Sequence, residues 1–212
     1  MPEISRDLPT LLDRLEEADG PADPVPSADG WELVLAESVA YLVDDQRRWH
    51  ALDELRRVVG LQPEQILAAP SAVLLRVVAG VRPAERVERL RRCAELAIAG
   101  APWRAYPGIG QPGQDRIDLF TGSRAVLALD ANGLRVLTRL GYAAPARSYA
   151  TGYRQAQAAA SAELPAGVPP RQRAYQLLRR HGQAVCRRKD PACASCAIAG
   201  HCPSAGYPPP LY

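Results

Sequence analysis

The stretch CRRKDPACASCAIAGHC, residues 186–202, holds four of the chain's five cysteines in the spacing C-x6-C-x2-C-x5-C. A tetrahedral thiolate site needs four sulfurs within a few ångström of one another. Spacings this short let one loop wrap a metal without help from distant residues. Zinc ribbons usually present two C-x2-C knuckles separated by a longer stretch, whereas here one C-x2-C is flanked by gaps of six and five. The spacing therefore favours a [4Fe–4S] cluster on Cys186, Cys193, Cys196 and Cys202, with zinc as the alternative and a metal-free loop as the third reading. The fifth cysteine, Cys93 in LRRCAELA, falls mid-helix and reads as a small core residue.

Immediately upstream, residues 171–189 (RQRAYQLLRRHGQAVCRRK) carry seven bases and no acid, while residues 1–30 carry eight acids and two bases. The net charge of +3 hides this asymmetry. A one-sided basic block suits phosphate contacts, and it equally suits a solvated helix face. With 212 residues and 47% hydrophobic content, the chain can bury a core without disulfide staples. No apolar run approaches the roughly 20 residues of a membrane span, and the acidic start reads as neither signal nor transit peptide. These features give the expectation of a cytoplasmic protein, where clustered cysteines bind metal rather than pair.

Apolar residues recur at helical spacing and alternating β-branched runs are scarce, which predicts an all-α protein. The expected helices are roughly 8–19, 31–43, 45–59, 63–69, 71–79, 84–99, 112–121, 131–141, 145–161 and 170–182. DGPADPVPSADG, residues 19–30, reads as a linker from the first helix to the main body, and the chain beyond 183 as loop.

The cysteine spacing at the C-terminus, preceded by a basic helix and HGQAVC, resembles the iron–sulfur loop of endonuclease III and its adenine-DNA glycosylase relative. Both are helix–hairpin–helix base-excision glycosylases. Two further motifs extend the resemblance to residues from about Trp31 to Cys202. YPGIG, residues 106–110, is similar to the family's hairpin LPGVG; its glycines allow a tight turn and close backbone approach, so that N–H groups opening the next helix can hold a phosphate. An ordinary loop is the bland reading of a lone P-G-x-G. In the family the catalytic aspartate follows the last hairpin glycine by twenty residues, and counting twenty from Gly110 reaches Asp130 without a gap. The helical pattern that follows also makes Asp130 a candidate N-cap, and one carboxylate can fill both roles. Asp-Ala-Asn here is closer to the adenine glycosylase's Asp-Gly-Asn than to endonuclease III's Asp-Thr-His.

The resemblance implies an all-α, two-lobed fold: a helical barrel over 27–133 with the hairpin, and a second lobe joining 1–26 to 134–212 and the cluster. It implies double-stranded DNA containing a damaged or mispaired base as partner, a monomeric protein, DNA held between the lobes, and a nucleotide flipped into a pocket. Gly108, Ile109, Gly110 and Gln111 would meet the DNA backbone. Asp130 would stabilise the oxocarbenium-like sugar and activate water. Bifunctional members attack the sugar with a lysine two residues past the last hairpin glycine. That position is Pro112, and the only lysine, Lys189, lies in the cysteine loop. A monofunctional, water-using glycosylase follows, with a catalytically weak DNA-binding paralogue as the alternative.

Glu37 is the one charged residue in LVLAESVAYLV, residues 33–43. Desolvated, it would suit an acid that protonates the leaving base, as the matching glutamate of the adenine glycosylase does; otherwise it faces solvent. Leu42 falls where endonuclease III places a glutamine into the duplex, so it is either an apolar wedge or a core side chain. The loop VAGVRPAERV is shorter than endonuclease III's counterpart.

Overall fold

The computed structural model describes residues 7–144, 146 and 148–206, which form two compact units: one of residues 7–26 with 122–206, the other of 27–121. No described helix is long and apolar enough to cross a membrane.

The first unit is built on α1 (Leu8–Asp19), α8 (Ala131–Arg139), α9 (Tyr149–Glu163) and α10 (Val168–Ala184). In α1, Leu8, Leu11, Leu12 and Leu15 repeat at helical spacing and are all buried, each stabilising the unit by about 1.5–3 kcal/mol. They meet Leu134 and Leu137 of α8, Tyr153 and Ala156 of α9, and Leu177 and Leu178 of α10 in one core. Polar contacts anchor the same face. Arg173 donates to Asp13 at 2.8 Å and to Glu16 at 2.8 Å. The expected linker is tied to α10 as well: Gln176 donates to the Pro24 carbonyl and Arg180 to that of Pro21, at 2.9 and 2.8 Å. α10 opens with Pro169 and Pro170 in its first turn, where their missing N–H groups are not needed. Past α10, short 3₁₀ turns at Cys193–Ser195 and Ala199–His201 shape the cysteine loop.

The second unit holds α2 (Gly30–Val39), α3 (Asp45–Val58), α4 (Pro63–Ala68), α5 (Ser71–Val77), α6 (Pro83–Ile98) and α7 (Gln111–Thr121). Its core gathers Leu35 and Val39 of α2, Leu52 and Leu55 of α3, Ile66, Leu74, and Val87 and Leu90 of α6. Asp29 caps α2 by accepting the Trp31 N–H at 2.7 Å. Cys93 is fully buried beside Ser38, at 3.4 Å, in keeping with its core reading.

One element departs from the expected all-helical pattern. α2 stops at Val39, short of 43, because Ala40–Tyr41 (β1) pairs in parallel with Ala79–Gly80 (β2). Gly80 has φ of +89°, and a Cβ there would lie 1.9 Å from the Tyr41 carbonyl oxygen, so only glycine fits.

Candidate functional site

The hairpin is closed from within the second unit. Tyr106 is buried against Trp103 and Trp31, with ring centroids 5.4 and 6.4 Å away. The Ile109 N–H donates to the Tyr106 carbonyl at 3.1 Å to form the turn. Gly108 takes φ of +78°, and a Cβ there would overlap the Arg89 guanidinium, whose Nε donates to the Pro107 carbonyl at 2.6 Å. Gly110 differs. Its φ is ordinary, and a Cβ would touch only Pro112 Cδ at 3.9 Å, so neither folding nor packing demands a glycine. Among the described residues the N–H groups of Gly110, Gln111 and Gly113 meet no acceptor, as expected where a helix begins, and the ladder of α7 starts with Gln114 N–H to the Gly110 carbonyl at 3.0 Å. Gly108, Gly110 and Gln111 are exposed, and Gln111 also steadies buried Asp115 by a 2.8 Å bond. Ile109 is a core side chain at 5% exposure, with its N–H already used in the turn, so it offers no side chain to a ligand.

Leu42 follows β1 directly, with φ of +55° and 74% of its surface exposed. Core packing is therefore not its role. An apolar residue in left-handed backbone costs about 1–2 kcal/mol, and here no burial offsets it. Val81, next to β2, is 46% exposed, and its N–H reaches the Tyr41 carbonyl at 3.4 Å. Tyr41 is anchored by the Arg86 guanidinium, 4.9 Å from its ring centroid. The ends of β1 and β2 thus display two apolar side chains side by side.

Glu37 is neither desolvated among apolar groups nor turned to open solvent. Its Oε1 is paired with Arg48 from α3 and, at 2.9 Å, with Arg116 from α7. The apolar run around it in sequence supplies the other faces of α2; its own face is charged.

In the first unit Asp130 is the N-cap of α8. Oδ1 accepts the Asn132 and Gly133 N–H groups at 2.9 and 2.7 Å. Oδ2 accepts the Asn132 side-chain amide at 2.9 Å and is paired with Arg179 of α10. Asn132 is held in turn by Arg135, whose Nη2 donates to its Oδ1 at 2.7 Å. Arg135 also donates to the carbonyls of Gly182 and Cys186, at 2.7 and 2.8 Å. Burial lowers the Arg135 pKa from its ordinary value. A Cβ on Gly182 would lie 2.8 Å from the Asn132 carbonyl oxygen, so glycine lets α10 reach the start of α8. Backbone at the first cysteine is thus connected by hydrogen bonds to the carboxylate.

Cys186, Cys193, Cys196 and Cys202 line one cavity, together with Val136, Leu140 and Ile198. Arg139, only 3% exposed, donates from Nη1 to Cys186 Sγ at 3.2 Å and to the Arg187 carbonyl at 2.7 Å. His181 Nε2 lies 3.6 Å from Cys196 Sγ, and burial lowers the imidazole's pKa. Among the described residues no three His, Cys, Asp or Glu side chains converge as a formed metal site. The donor set nonetheless fits a thiolate-held group: four sulfurs, no carboxylate, apolar walls and a buried cation beside one sulfur.

The sequence did not reveal Arg48 and Arg116 at Glu37, Arg135 at Asn132, or Arg179 at Asp130. Arg179 was visible only as part of the basic block, and that block proves divided. Arg173 and Arg180 hold the N-terminal segment and Arg171 caps the α10 entry through the Pro165 and Gly167 carbonyls. Arg187, Arg188 and Lys189 are the exposed members.

No family model matches the chain, and no curated protein matches it by sequence. Solved structures do match by shape. A trapped endonuclease III–DNA covalent intermediate superposes with a TM-score of 0.74 at 17% identity, over 94% of this chain and 95% of that one. A thermostable thymine-DNA glycosylase gives 0.68 at 17% identity over 94% of each chain. DNA-3-methyladenine glycosidase from Bacillus halodurans gives 0.52 at 16% identity, over 82% of this chain and 83% of that one. The chain therefore has the fold of endonuclease III and related helix–hairpin–helix DNA glycosylases.

Proposed function

We propose that the protein is a monofunctional base-excision DNA glycosylase, which binds double-stranded DNA as a monomer and hydrolyses the N-glycosidic bond of a damaged or mispaired base. The observation that carries this reading is the setting of Asp130: a carboxylate fixed by a helix cap and a side-chain amide, twenty residues after a hairpin with open N–H groups, in a chain whose fold matches DNA glycosylases. Two fixed N–H donors and an amide hold the carboxylate in one orientation, so the carboxylate itself need not turn to face a sugar cation. The same group orients and deprotonates water. Pro112 stands where an attacking lysine would be needed, and the chain's single lysine lies far along the sequence in the cysteine loop. Strand cleavage through an imine is therefore no part of the mechanism.

The N–H groups of Gly110, Gln111 and Gly113, which meet no acceptor among the described residues, serve as a phosphate seat, and Gly110 is bare so that phosphate can approach. Leu42, displayed in a strained turn, is the wedge that fills the duplex where a nucleotide has left. Glu37 is retained as a candidate acid, but its ion pairs with Arg48 and Arg116 favour a role in holding those arginines. Cys186, Cys193, Cys196 and Cys202 would hold a [4Fe–4S] cluster whose contribution is to fix the loop. Arg139 and Arg135 then tie that loop to α8.

Purified protein incubated with duplexes bearing oxidised, deaminated, alkylated and mismatched bases, then treated with alkali, should give breaks at one class of base. Absence of breaks with every duplex would remove the catalytic reading. A second reading, a paralogue that binds damaged or bent DNA with little catalysis, is favoured by one observation: Arg179 already occupies Oδ2 of Asp130.

A further inference from the structure

We infer that Arg179 is a DNA-phosphate ligand held in reserve by Asp130, which it leaves when the substrate's backbone arrives. The inference rests on the proposed DNA-binding function and concerns a residue that the family resemblance does not assign. Asp130 has no structural need of this arginine, because Oδ1 is filled by two backbone N–H groups and Oδ2 already accepts the Asn132 amide. The guanidinium on Oδ2 also opposes the chemistry: it cancels the negative charge that a developing sugar cation requires, and it covers the oxygen that the helix cap leaves for a substrate. An arginine in that place is a liability unless binding removes it.

DNA brings its own competitor. Phosphate oxygens accept the planar guanidinium fork in two parallel bonds, a geometry that the single-nitrogen contact of Arg179 with Asp130 does not use. Arg179 is also accessible enough to exchange, since its side chain keeps 18% of its surface and that of Asp130 16%. The neighbouring arginines hold the N-terminal segment: Arg173 pairs with Asp13 and Glu16, and Arg180 donates to the Gly20 and Pro21 carbonyls. Transfer of the guanidinium to phosphate uncovers Asp130 only when a backbone is in place. Affinity and catalytic competence are thereby linked through one side chain.

The test is equilibrium binding of the full chain to a duplex with a tetrahydrofuran abasic analogue, measured across a salt series for the wild type, Arg179→Gln, Arg179→Lys, Asp130→Asn and the Asp130→Asn/Arg179→Gln double variant. Loss of one phosphate contact should lower the salt slope by about one in Arg179→Gln, and Arg179→Lys should restore it. Asp130→Asn, by removing the competitor, should bind several-fold more tightly, and the gain should vanish in the double variant. An unchanged slope in an Arg179→Gln protein that melts like the wild type would overturn the inference. So would an Asp130→Asn gain that persists in the double variant. If wild-type binding itself shows no salt dependence, the DNA-binding function falls, and that failure is recognisable because it precedes any difference among variants.

Discussion

Asp130 and Glu37 are both carboxylates met by arginine, yet the two regions hold them by different means. Asp130 is gripped by main chain: two N–H groups at the start of α8, then an amide and a guanidinium. Glu37 is paired with the side chains of Arg48 from α3 and Arg116 from α7, on the partly exposed face of α2. Backbone donors cannot rotate away, whereas arginine side chains can, so the helix cap fixes the Asp130 carboxylate more firmly than the two ion pairs fix Glu37. Under the proposed function, the chemistry falls to the first unit's helix cap, and the hairpin and Leu42 of the second unit are the proposed DNA contacts.

The sharpest way to break this contrast is substitution of each acid by its amide. Asp130→Asn should lower base release by roughly two or more orders of magnitude, the scale of losing one positioned catalytic group, with the fold retained. Glu37→Gln should cost far less; equal losses measured in single turnover would show that both acids act on the base and sugar. Next in size is the cysteine loop. Replacing Cys193 or Cys196 should yield insoluble or proteolysed protein, and protein purified without oxygen should be brown with about four irons per chain. Stoichiometric zinc with no visible absorption would remove the cluster assignment.

Smaller effects sharpen the contrast within the second unit. Gly110→Arg should weaken binding to an abasic-analogue duplex while leaving the melting temperature near that of the wild type, because the backbone there is ordinary and a Cβ meets only Pro112 Cδ at 3.9 Å. Gly108→Ala should instead destabilise the fold, since that position needs positive φ and abuts Arg89. The smallest effect concerns acid stability of the first unit. The Arg173 guanidinium holds the Glu16 carboxyl below its ordinary value of 4.5, so the contribution is complete above that pH and is lost as pH falls through the depressed value. Denaturation followed against pH should show this loss in the wild type and not in Arg173→Ala.

Much of this was legible in the sequence because it rests on local rules. The apolar spacing of α1 matches the observed Leu8–Asp19, and the Asp130 cap followed from one polar residue before a periodic run. The twenty-residue step from Gly110 pointed to the same position. What escaped was long-range. The end of α2 was misplaced because Tyr41 pairs with Gly80, a partner some forty positions on that periodicity cannot see. Glu37 looked isolated because Arg48 and Arg116 come from other helices. Leu42 read as a core side chain before a wedge because side-chain type does not report the positive φ, and its exposure overturns that reading. Helix α9 begins at Tyr149, not 145, because Ser148 caps it through the Thr151 N–H.

The central claim is hydrolysis by an aspartate without a lysine. Strand analysis in single turnover, on whichever duplex the base panel identifies, tests it by comparing samples with and without alkali for the wild type and Asp130→Asn. The account predicts breaks that appear only after alkali, no borohydride-trapped protein–DNA complex, and loss of those breaks in Asp130→Asn. Breaks without alkali together with efficient trapping, or equal base release by Asp130→Asn, would contradict it.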